Sequence, residues 1–157
     1  MSLKTLLNRN YLFILSIFVF SVFINRYYAN LGVFPLDTFY HFDLGFRILQ
    51  GEIPFTDIWM VSGVLINYVQ ALFFFILGIN WNTYVLHASL MNGLISIATY
   101  FILKEFKLNI NYCFIYSILF SVLAYTSSGT PFVDHHSAFF SLLGVYSLLL
   151  AIKKEKK

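Results

Sequence analysis

Long apolar runs fill most of the chain, and short polar segments separate them. Five runs are candidates to cross a membrane, at residues 11–25, 61–78, 83–103, 109–125 and 132–152. A helix needs about 20 apolar residues to cross a hydrocarbon core of roughly 30 Å. The pattern therefore predicts an all-α integral membrane protein with four or five crossings.

The composition supports this class. Of 157 residues, 59% are hydrophobic and only 11% are charged, whereas soluble domains carry about 25% charged residues. Aromatic residues reach 20%, which suits lipid-facing and interfacial positions. The formal net charge is +3, but the basic residues cluster at the ends of the apolar runs. They therefore indicate membrane topology, and we expect no nucleic-acid partner.

Lysine and arginine positions choose between four and five crossings, because cytoplasmic loops are enriched in these residues. If both chain ends are cytoplasmic and run 61–78 does not cross, eight of the ten basic residues are cytoplasmic. With five crossings the distribution is reversed. We therefore predict four transmembrane helices, at about residues 11–26, 83–103, 109–127 and 133–152. The first lacks a small-residue cleavage site, so we expect it to remain uncleaved.

The outer loop at residues 27–82 is predicted to hold two interfacial helices. Residues 38–50 show helical spacing of apolar side chains, a stripe formed by Phe39, Phe42, Phe46 and Leu49. On another stripe, Asp43 and Arg47 are spaced to form an ion pair worth about 0.2–0.5 kcal/mol, and Gly51 ends the helix. Run 61–78 carries Asn67 and Gln70 near its middle. We expect it to lie in the outer interface or to dip partly into it.

This topology places most of the acidic and imidazole side chains on one side of the membrane. Five of the seven acidic residues fall outside: Asp37, Asp43, Glu52, Asp57 and Asp134. His41, His135 and His136 share that side, and His87 lies near the outer end of its span. The chemistry of the protein is therefore expected at the outer membrane boundary.

Each of these residues also has a purely structural interpretation. Asp37, Asp57 and Asp134 precede predicted helices, where an aspartate N-cap contributes about 0.5–2 kcal/mol. Adjacent residues of a helix point about 100° apart, so His135 and His136 would not bind one ion together. A strong zinc motif is absent. One histidine could still join Asp134 and a carboxylate of the outer loop around a divalent ion, which is the one cofactor that the sequence leaves open.

Two further side chains have structural interpretations of the same kind. His41 begins the amphipathic helix and is expected to be solvated. The single cysteine, Cys113, lies inside an apolar run. A lone buried thiol behaves as a small hydrophobe.

The outer loop and the last span resemble parts of a known family. The segment "FPLDTFYHFDLGFRILQGEIPFTDIWMVSGVLINYVQALFFFILG" resembles the first outer loop of GT-C glycosyltransferases, polytopic enzymes of the protein-mannosyltransferase and aminoarabinose-transferase type. The segment "VDHHSAFFSLLGVYSLLLAI" resembles a second outer acidic motif that opens a later span in that group. The resemblance covers roughly residues 25–152. Members of the family are longer, so it implies the N-terminal portion of such an enzyme.

This resemblance implies transfer of a sugar from a polyprenyl-phosphate carrier to a lipid, glycan or protein acceptor. The reaction would take place at the outer face of a bacterial inner membrane, with both chain termini cytoplasmic. Asp37 would be the catalytic base or the group that orients the acceptor. Asp134 would lie opposite it as the second catalytic group and would help to bind the acceptor or a metal. Asp134 with His135 would hold any metal. The substrate-binding candidates are Asp57, His135, Arg47 and Tyr40.

Two alternatives remain open at the level of the sequence. The chain could be a non-catalytic subunit or scaffold of a glycosylation complex, or one part of a split enzyme. It could also be a small transporter or a metal-handling protein that uses the histidine pair. Transporters usually place ionisable groups inside their spans near the midplane. The predicted spans here carry amides, hydroxyls and a peripheral histidine instead, which makes transport the weaker alternative.

Overall fold

The computed structural model describes residues 3–33, 37–124 and 129–155, and within them the predicted all-α class is confirmed. The helices are α1 (Leu3–Tyr28), α2 (Asp37–Leu49), α3 (Leu65–Leu77), α4 (Trp81–Glu105), α5 (Ile110–Ala124) and α6 (Val133–Glu155). The predicted end of the third span, near residue 127, lies outside the described residues, as do Lys156 and Lys157.

Among the described residues, three helices are long and apolar enough to cross a membrane: α1 from Arg9 to Tyr28, α4 and α6, each with a mean hydropathy of 1.5. The remaining predicted span, the third along the chain, corresponds to α5, which has 15 described residues. At 1.5 Å per residue it extends over about 22 Å, less than the hydrocarbon thickness. Within its described residues, the structure therefore shows three membrane-length helices and two shorter apolar helices, α3 and α5.

Helix α4 is the central element, and the other long helices pack around it. Of its apolar window 61% is buried, compared with 17% for α1 and 6% for α6. Polar groups join these helices inside the bundle. The Nδ2 of Asn92 donates to the carbonyl oxygens of Ser21 on α1, at 3.2 Å, and Ser121 on α5, at 3.0 Å. Such bonds between membrane helices typically contribute about 0.6 kcal/mol each.

One end of the bundle, called here the acidic end, collects the end of α1 and the starts of α2, α4 and α6. Arg26 donates to the side chain of Asn82 at 3.3 Å. The Tyr84 hydroxyl donates to the carbonyl oxygen of Thr38 at 2.6 Å. The ring centroids of His41 and Phe132 lie 6.5 Å apart, which brings the starts of α2 and α6 together. Both Asp37 and Asp134 lie at this end, in the first turns of α2 and α6.

The opposite end, called the basic end, collects the start of α1 and the ends of α4 and α6. The Tyr100 hydroxyl and Lys104 Nζ both donate to Asn10 Oδ1, at 2.7 and 3.2 Å. Lys153 and Glu105 form an ion pair at 2.5 Å. Helices α1, α4 and α6 therefore run alternately between the two ends of the bundle.

Helix α3 lies antiparallel to the first part of α4. The Thr83 hydroxyl donates to the Leu77 carbonyl at 3.4 Å, and the Gln70 side chain contacts His87. Farther along, residues of α3 line a cavity together with Met91. Ten residues of α4 span about 15 Å, half of a hydrocarbon core. Both predicted placements of this segment, in the outer interface or dipping partly into it, stay predictions.

Candidate functional site

Three histidines meet inside the acidic end, and this histidine cluster is the main polar feature of the interior. His41 of α2, His87 of α4 and His136 of α6 have exposed fractions of 3%, 1% and 6%. The prediction that His41 is solvated is wrong. Helix α3 supplies Asn67 and Gln70 to the cluster, and both amides are fully buried.

The hydrogen bonds of the cluster connect four helices. His41 Nδ1 lies 2.7 Å from Asn67 Oδ1, and His87 Nδ1 lies 2.8 Å from Gln70 Oε1. His87 Nε2 lies 2.9 Å from His136 Nε2. Residues three apart on a helix share one face. The spacing of Asn67 and Gln70 therefore lets one side of α3 reach two histidines.

The amphipathic helix α2 packs through a different face from the one predicted. Its buried residues are Thr38, His41, Leu44 and Gly45, whereas Phe39 and Phe46 of the predicted stripe remain 48% and 38% exposed. A Cβ atom at Gly45 would lie 2.7 Å from Gln70 Cγ. The absence of a side chain at Gly45 therefore allows the close approach of α3 that buries His41.

Burial also changes the protonation of His41. Removal from water lowers the pKa of its imidazole below the ordinary 6.5, and this exceeds the opposite effects of the Asn67 hydrogen bond and the Asp37 charge. A neutral ring can donate its Nδ1–H to Asn67 Oδ1, while a charged ring would need compensation in a low-dielectric interior. His41 is therefore best suited to a structural, uncharged contact.

The two predicted catalytic carboxylates both lie exposed at the acidic end. Asp37 is in the first turn of α2, where its charge is favoured by the helix dipole. Asp134 is also in a first turn. Helix α6 begins one residue earlier, at Val133, so Asp134 is the second residue of the helix and does not occupy the predicted N-cap position. Among the described residues, neither carboxylate accepts a hydrogen bond or forms an ion pair. Both are accessible to a ligand.

Asp57 and Arg47, predicted to bind substrate, stabilise a turn after α2. Gly51 adopts φ of +94° and reverses the chain. This brings Glu52 back to Arg47, with Nε and Oε2 at 2.8 Å. The predicted pairing of Arg47 with Asp43 is therefore wrong. Asp57 Oδ2 accepts from the backbone N–H of Ile53 at 2.8 Å, so it closes this turn and does not cap α3.

Tyr40 and His135 occupy different surroundings. The Tyr40 hydroxyl accepts from the backbone N–H of Val61 at 3.1 Å and so ties the loop before α3 to α2. His135 is half-buried beside the ring of Phe132, at a centroid distance of 5.8 Å.

The metal prediction at Asp134 and His135 finds no additional protein ligand. Throughout the described ranges, no group of three or more His, Cys, Asp or Glu side chains is placed to hold a metal ion. A divalent ion at this pair would need most of its ligands from water or substrate. The pair therefore remains a prediction that rests on the sequence.

A cavity of about 200 Å³ lies between α3, α4 and the first turns of α6. Its walls are mainly apolar, with Ile66, Val69, Met91 and Phe139 among them, and His136 lies on the same wall. The predicted site residues do not line it. An apolar cavity at this depth suits a hydrocarbon chain better than a sugar.

Sequence reasoning missed the meeting of His87 with His136, because it depends on the packing of three helices that are distant along the chain. A partial signal was present in Asn67 and Gln70. Two amides on one face of an apolar helix need buried partners in a membrane. His87, inside a span, was the natural candidate for such a partner.

Comparison with known proteins leaves the family of this chain open. No protein-family model matches the sequence, and no curated protein and no solved structure is significantly similar to it. Function is therefore argued from the geometry of the acidic end.

Proposed function

We propose that the chain is the N-terminal module of a membrane glycosyltransferase that takes its sugar from a polyprenyl-phosphate carrier. One observation carries this proposal. Asp37 and Asp134 are exposed in the first turns of neighbouring helices, at the end of the bundle opposite its lysines. The sequence resemblance to GT-C enzymes supplies the reaction class.

In this proposal the acidic end faces the outer surface and the basic end faces the cytoplasm. The enrichment of lysine and arginine in cytoplasmic loops supports this orientation. Helix α5 would act as the fourth span, so both termini would be cytoplasmic. The site would then lie at the boundary where a carrier lipid keeps its tail in the bilayer while its sugar reaches water.

The chemistry needs a base and a place for a lipid. The acceptor hydroxyl or amine must lose a proton as it attacks the sugar, and an exposed carboxylate such as Asp37 can accept it. Asp134 would orient the acceptor from the start of α6. The apolar cavity beside Met91 and Phe139 would receive hydrocarbon of the carrier beneath these carboxylates.

The leaving phosphate also needs a cation. Arg47 is engaged by Glu52 and by the Asp57 carbonyl at 3.2 Å, which makes it a poor candidate. Arg26 lies at the acidic end, and within the described part of the chain its guanidinium donates to a neutral side chain, that of Asn82. We therefore assign phosphate attraction to Arg26, supported by further chain of a longer enzyme or by a divalent ion.

The test compares two aspartates on the same helix. The full chain, with any adjacent partner subunit, would be reconstituted in liposomes with radiolabelled polyprenyl-phosphate sugars, and lipid-to-acceptor transfer would be measured. Asp37→Asn is expected to abolish transfer, because asparagine cannot accept the proton. Asp43→Asn, an exposed change on α2, is the matched control and should retain transfer. Full transfer by Asp37→Asn would remove Asp37 from the mechanism.

A non-catalytic scaffold subunit is the second candidate function. The observation in its favour is that Arg47, Glu52 and Asp57 stabilise a turn of their own chain and so are unavailable to substrate. A scaffold would tolerate Asp37→Asn and Asp134→Asn together in a cellular glycan-assembly assay. The glycosyltransferase proposal requires that this double variant be inactive although it folds.

A further inference from the structure

A groove of about 390 Å³ lies at the basic end, between the end of α4 and the last turns of α6, and is called here the basic groove. It is lined by Glu105, Phe106, Lys107, Leu149, Ile152 and Lys153. Two further surface grooves, one between α1 and α5 and one along α1, are lined by apolar side chains and Ser16. The basic groove differs from both because charged groups join its apolar walls.

The lining of the basic groove changes from apolar to cationic along α6. Leu149, Ile152 and Lys153 recur at steps of three and four, so they lie on one face of the helix. At 1.5 Å per residue, Leu149 lies about 6 Å farther from the end of the bundle than Lys153 does. A phospholipid has the same order of groups, since its acyl chains lie inside the bilayer and its phosphate lies at the surface.

Lys107 lines the groove from the turn after α4, and its backbone conformation is one that favours glycine. Its φ is +61°, in the left-handed region that a side chain makes unfavourable. The N–H of Lys107 donates to the Lys104 carbonyl at 3.0 Å, and the N–H of Leu108 donates to the Leu103 carbonyl at 3.4 Å. This pattern ends many helices, usually with glycine at the left-handed position. Lysine here sacrifices stability, and such strain is often found at residues that contact a ligand.

The charges of the groove leave it able to receive an anion. Glu105 and Lys153 pair with each other at 2.5 Å. Among the described residues, no carboxylate pairs with Lys107, whose side chain is exposed. The two lysines and one glutamate of the lining carry a net formal charge of +1, and Lys154 adds a further positive charge beside them.

We propose that the basic groove binds one anionic phospholipid, with its phosphate at Lys107 and Lys153 and an acyl chain along Leu149 and Ile152. Basic pockets between membrane helices are known to bind anionic lipid headgroups. A zwitterionic lipid would bring its own cation close to the lysines, so it should bind more weakly. The site lies at the end opposite the proposed catalytic aspartates and does not depend on the proposed glycosyl transfer.

The apolar wall selects a lipid over a soluble phosphate. A free phosphate would contact only exposed lysines, where water and salt screen the attraction. A phospholipid is also held by its acyl chain, which keeps the phosphate at the end of the groove. The occupant is therefore a lipid of the membrane itself.

The test measures how the full chain binds its first lipid, by native mass spectrometry from detergent micelles. Phosphatidylglycerol and phosphatidylcholine with identical acyl chains are compared, and the wild type should prefer phosphatidylglycerol. Lys107→Gln should lower this preference about fivefold, the effect expected for one lysine near an anionic membrane surface. Lys154→Gln removes the same charge from an exposed position outside the groove, so it is the matched control and should retain the preference.

A pair of tryptophan variants tests the apolar part of the site. Leu149→Trp would fill the groove and should weaken binding of phosphatidylglycerol. Leu148→Trp is the matched control, because Leu148 is 61% exposed and does not line the groove. Inorganic phosphate in excess should not displace the bound lipid.

Lys107→Gly separates binding from folding. Glycine relieves the strain of the positive φ, so the melting temperature in detergent should rise. The preference for phosphatidylglycerol should nevertheless fall as it does in Lys107→Gln. The proposal is overturned if the wild type shows no preference, if Lys154→Gln loses as much as Lys107→Gln, if the two tryptophan variants bind alike, if Lys107→Gly keeps the preference, or if inorganic phosphate displaces the lipid.

Discussion

The two ends of the bundle have different interiors. At the basic end, Ile17, Tyr100 and Cys113 form an apolar core, and the charged groups remain near the surface. At the acidic end, three histidines and two amides are buried together, and Asp37 and Asp134 outside them have no partners among the described residues. Burying polar groups in a membrane protein is costly, and such groups are commonly functional. The comparison supports the proposal that the acidic end carries the chemistry of the protein, while the basic end stabilises its fold.

The largest loss of stability is expected from Gly129→Ala, which would disrupt the packing of the acidic end. Gly129 adopts φ of +65°, and a Cβ there would lie 2.5–2.6 Å from atoms of Ala29. Its carbonyl also accepts from Asn25 at 3.0 Å. We expect a loss of about 2–4 kcal/mol in the free energy of unfolding, because strain and overlap with backbone add together. Thermal unfolding in detergent would measure it.

Gly144→Ala is the matched control for that experiment. Gly144 lies within α6, and no atom lies within 4 Å of a Cβ built there. Alanine favours a helix over glycine by about 0.5–1 kcal/mol, so this variant should be neutral or slightly stabilised. An equal loss in both variants would contradict the close packing of Gly129 on Ala29.

An intermediate loss of stability is expected from Asn67→Leu. This variant also tests whether a change at the acidic end leaves the packing of the basic end undisturbed. The variant leaves His41 Nδ1 without its partner and should cost about 1–2 kcal/mol. The chain's single cysteine, Cys113, is fully buried at the other end and reports on it. Its reaction with a permeant maleimide should remain as slow as in the wild type.

Tyr100→Phe provides the reverse experiment at the basic end. It removes the hydrogen bond to Asn10 beside Cys113, so maleimide labelling should accelerate. Faster labelling in Asn67→Leu than in Tyr100→Phe would show that the comparison between the ends is mistaken.

A smaller effect is expected from acid. Because burial lowers the pKa of His41 below 6.5, the unfolded chain binds more protons than the folded one as pH falls through that value. The contribution of the neutral ring is complete above pH about 6.5 and is lost below it. The difference in melting temperature between pH 7.5 and 5.5 should therefore be smaller in His41→Gln than in the wild type. If this difference in melting temperature were the same in both proteins, groups other than His41 would have to cause it.

The smallest effect is expected from Glu105→Gln at the basic end. The Lys153 side chain is 55% exposed, so water and salt screen its pairing with Glu105. Exposed ion pairs contribute about 0–1 kcal/mol. The melting temperature should change little, and the part of its salt dependence that comes from this ion pair should disappear. A loss larger than that of Asn67→Leu would reverse the proposed ranking of the ends.

The sequence predicted those features that depend on local periodicity and charge. The apolar runs predicted where the helices lie. The lysine positions predicted which helix ends lie together, and the structure places those ends together at the basic end. It failed where distant segments meet. The face that α2 buries is set by Gly45 against Gln70, and the partner of Arg47 is set by the reversal at Gly51.

The candidate site divides in the same way. Asp37 and Asp134 could be placed at one end because each begins a helix on the same side. The meeting of His87 and His136 could not, because it requires α4 and α6 to pack at one particular rotation. The sequence drew attention to His135, because it adjoins His136. In the fold, His136 instead contacts His87, which lies 49 positions away along the chain.

The most direct test of the account is which membrane face each end occupies. In a Cys113→Ala background, Gly32→Cys would report on the acidic end and Phe106→Cys, at a position that is 60% exposed, on the basic end. A membrane-impermeant maleimide applied to intact cells should label Gly32→Cys and should label Phe106→Cys only after permeabilisation. Labelling of Phe106→Cys in intact cells would contradict the account, whether or not Gly32→Cys is labelled as well.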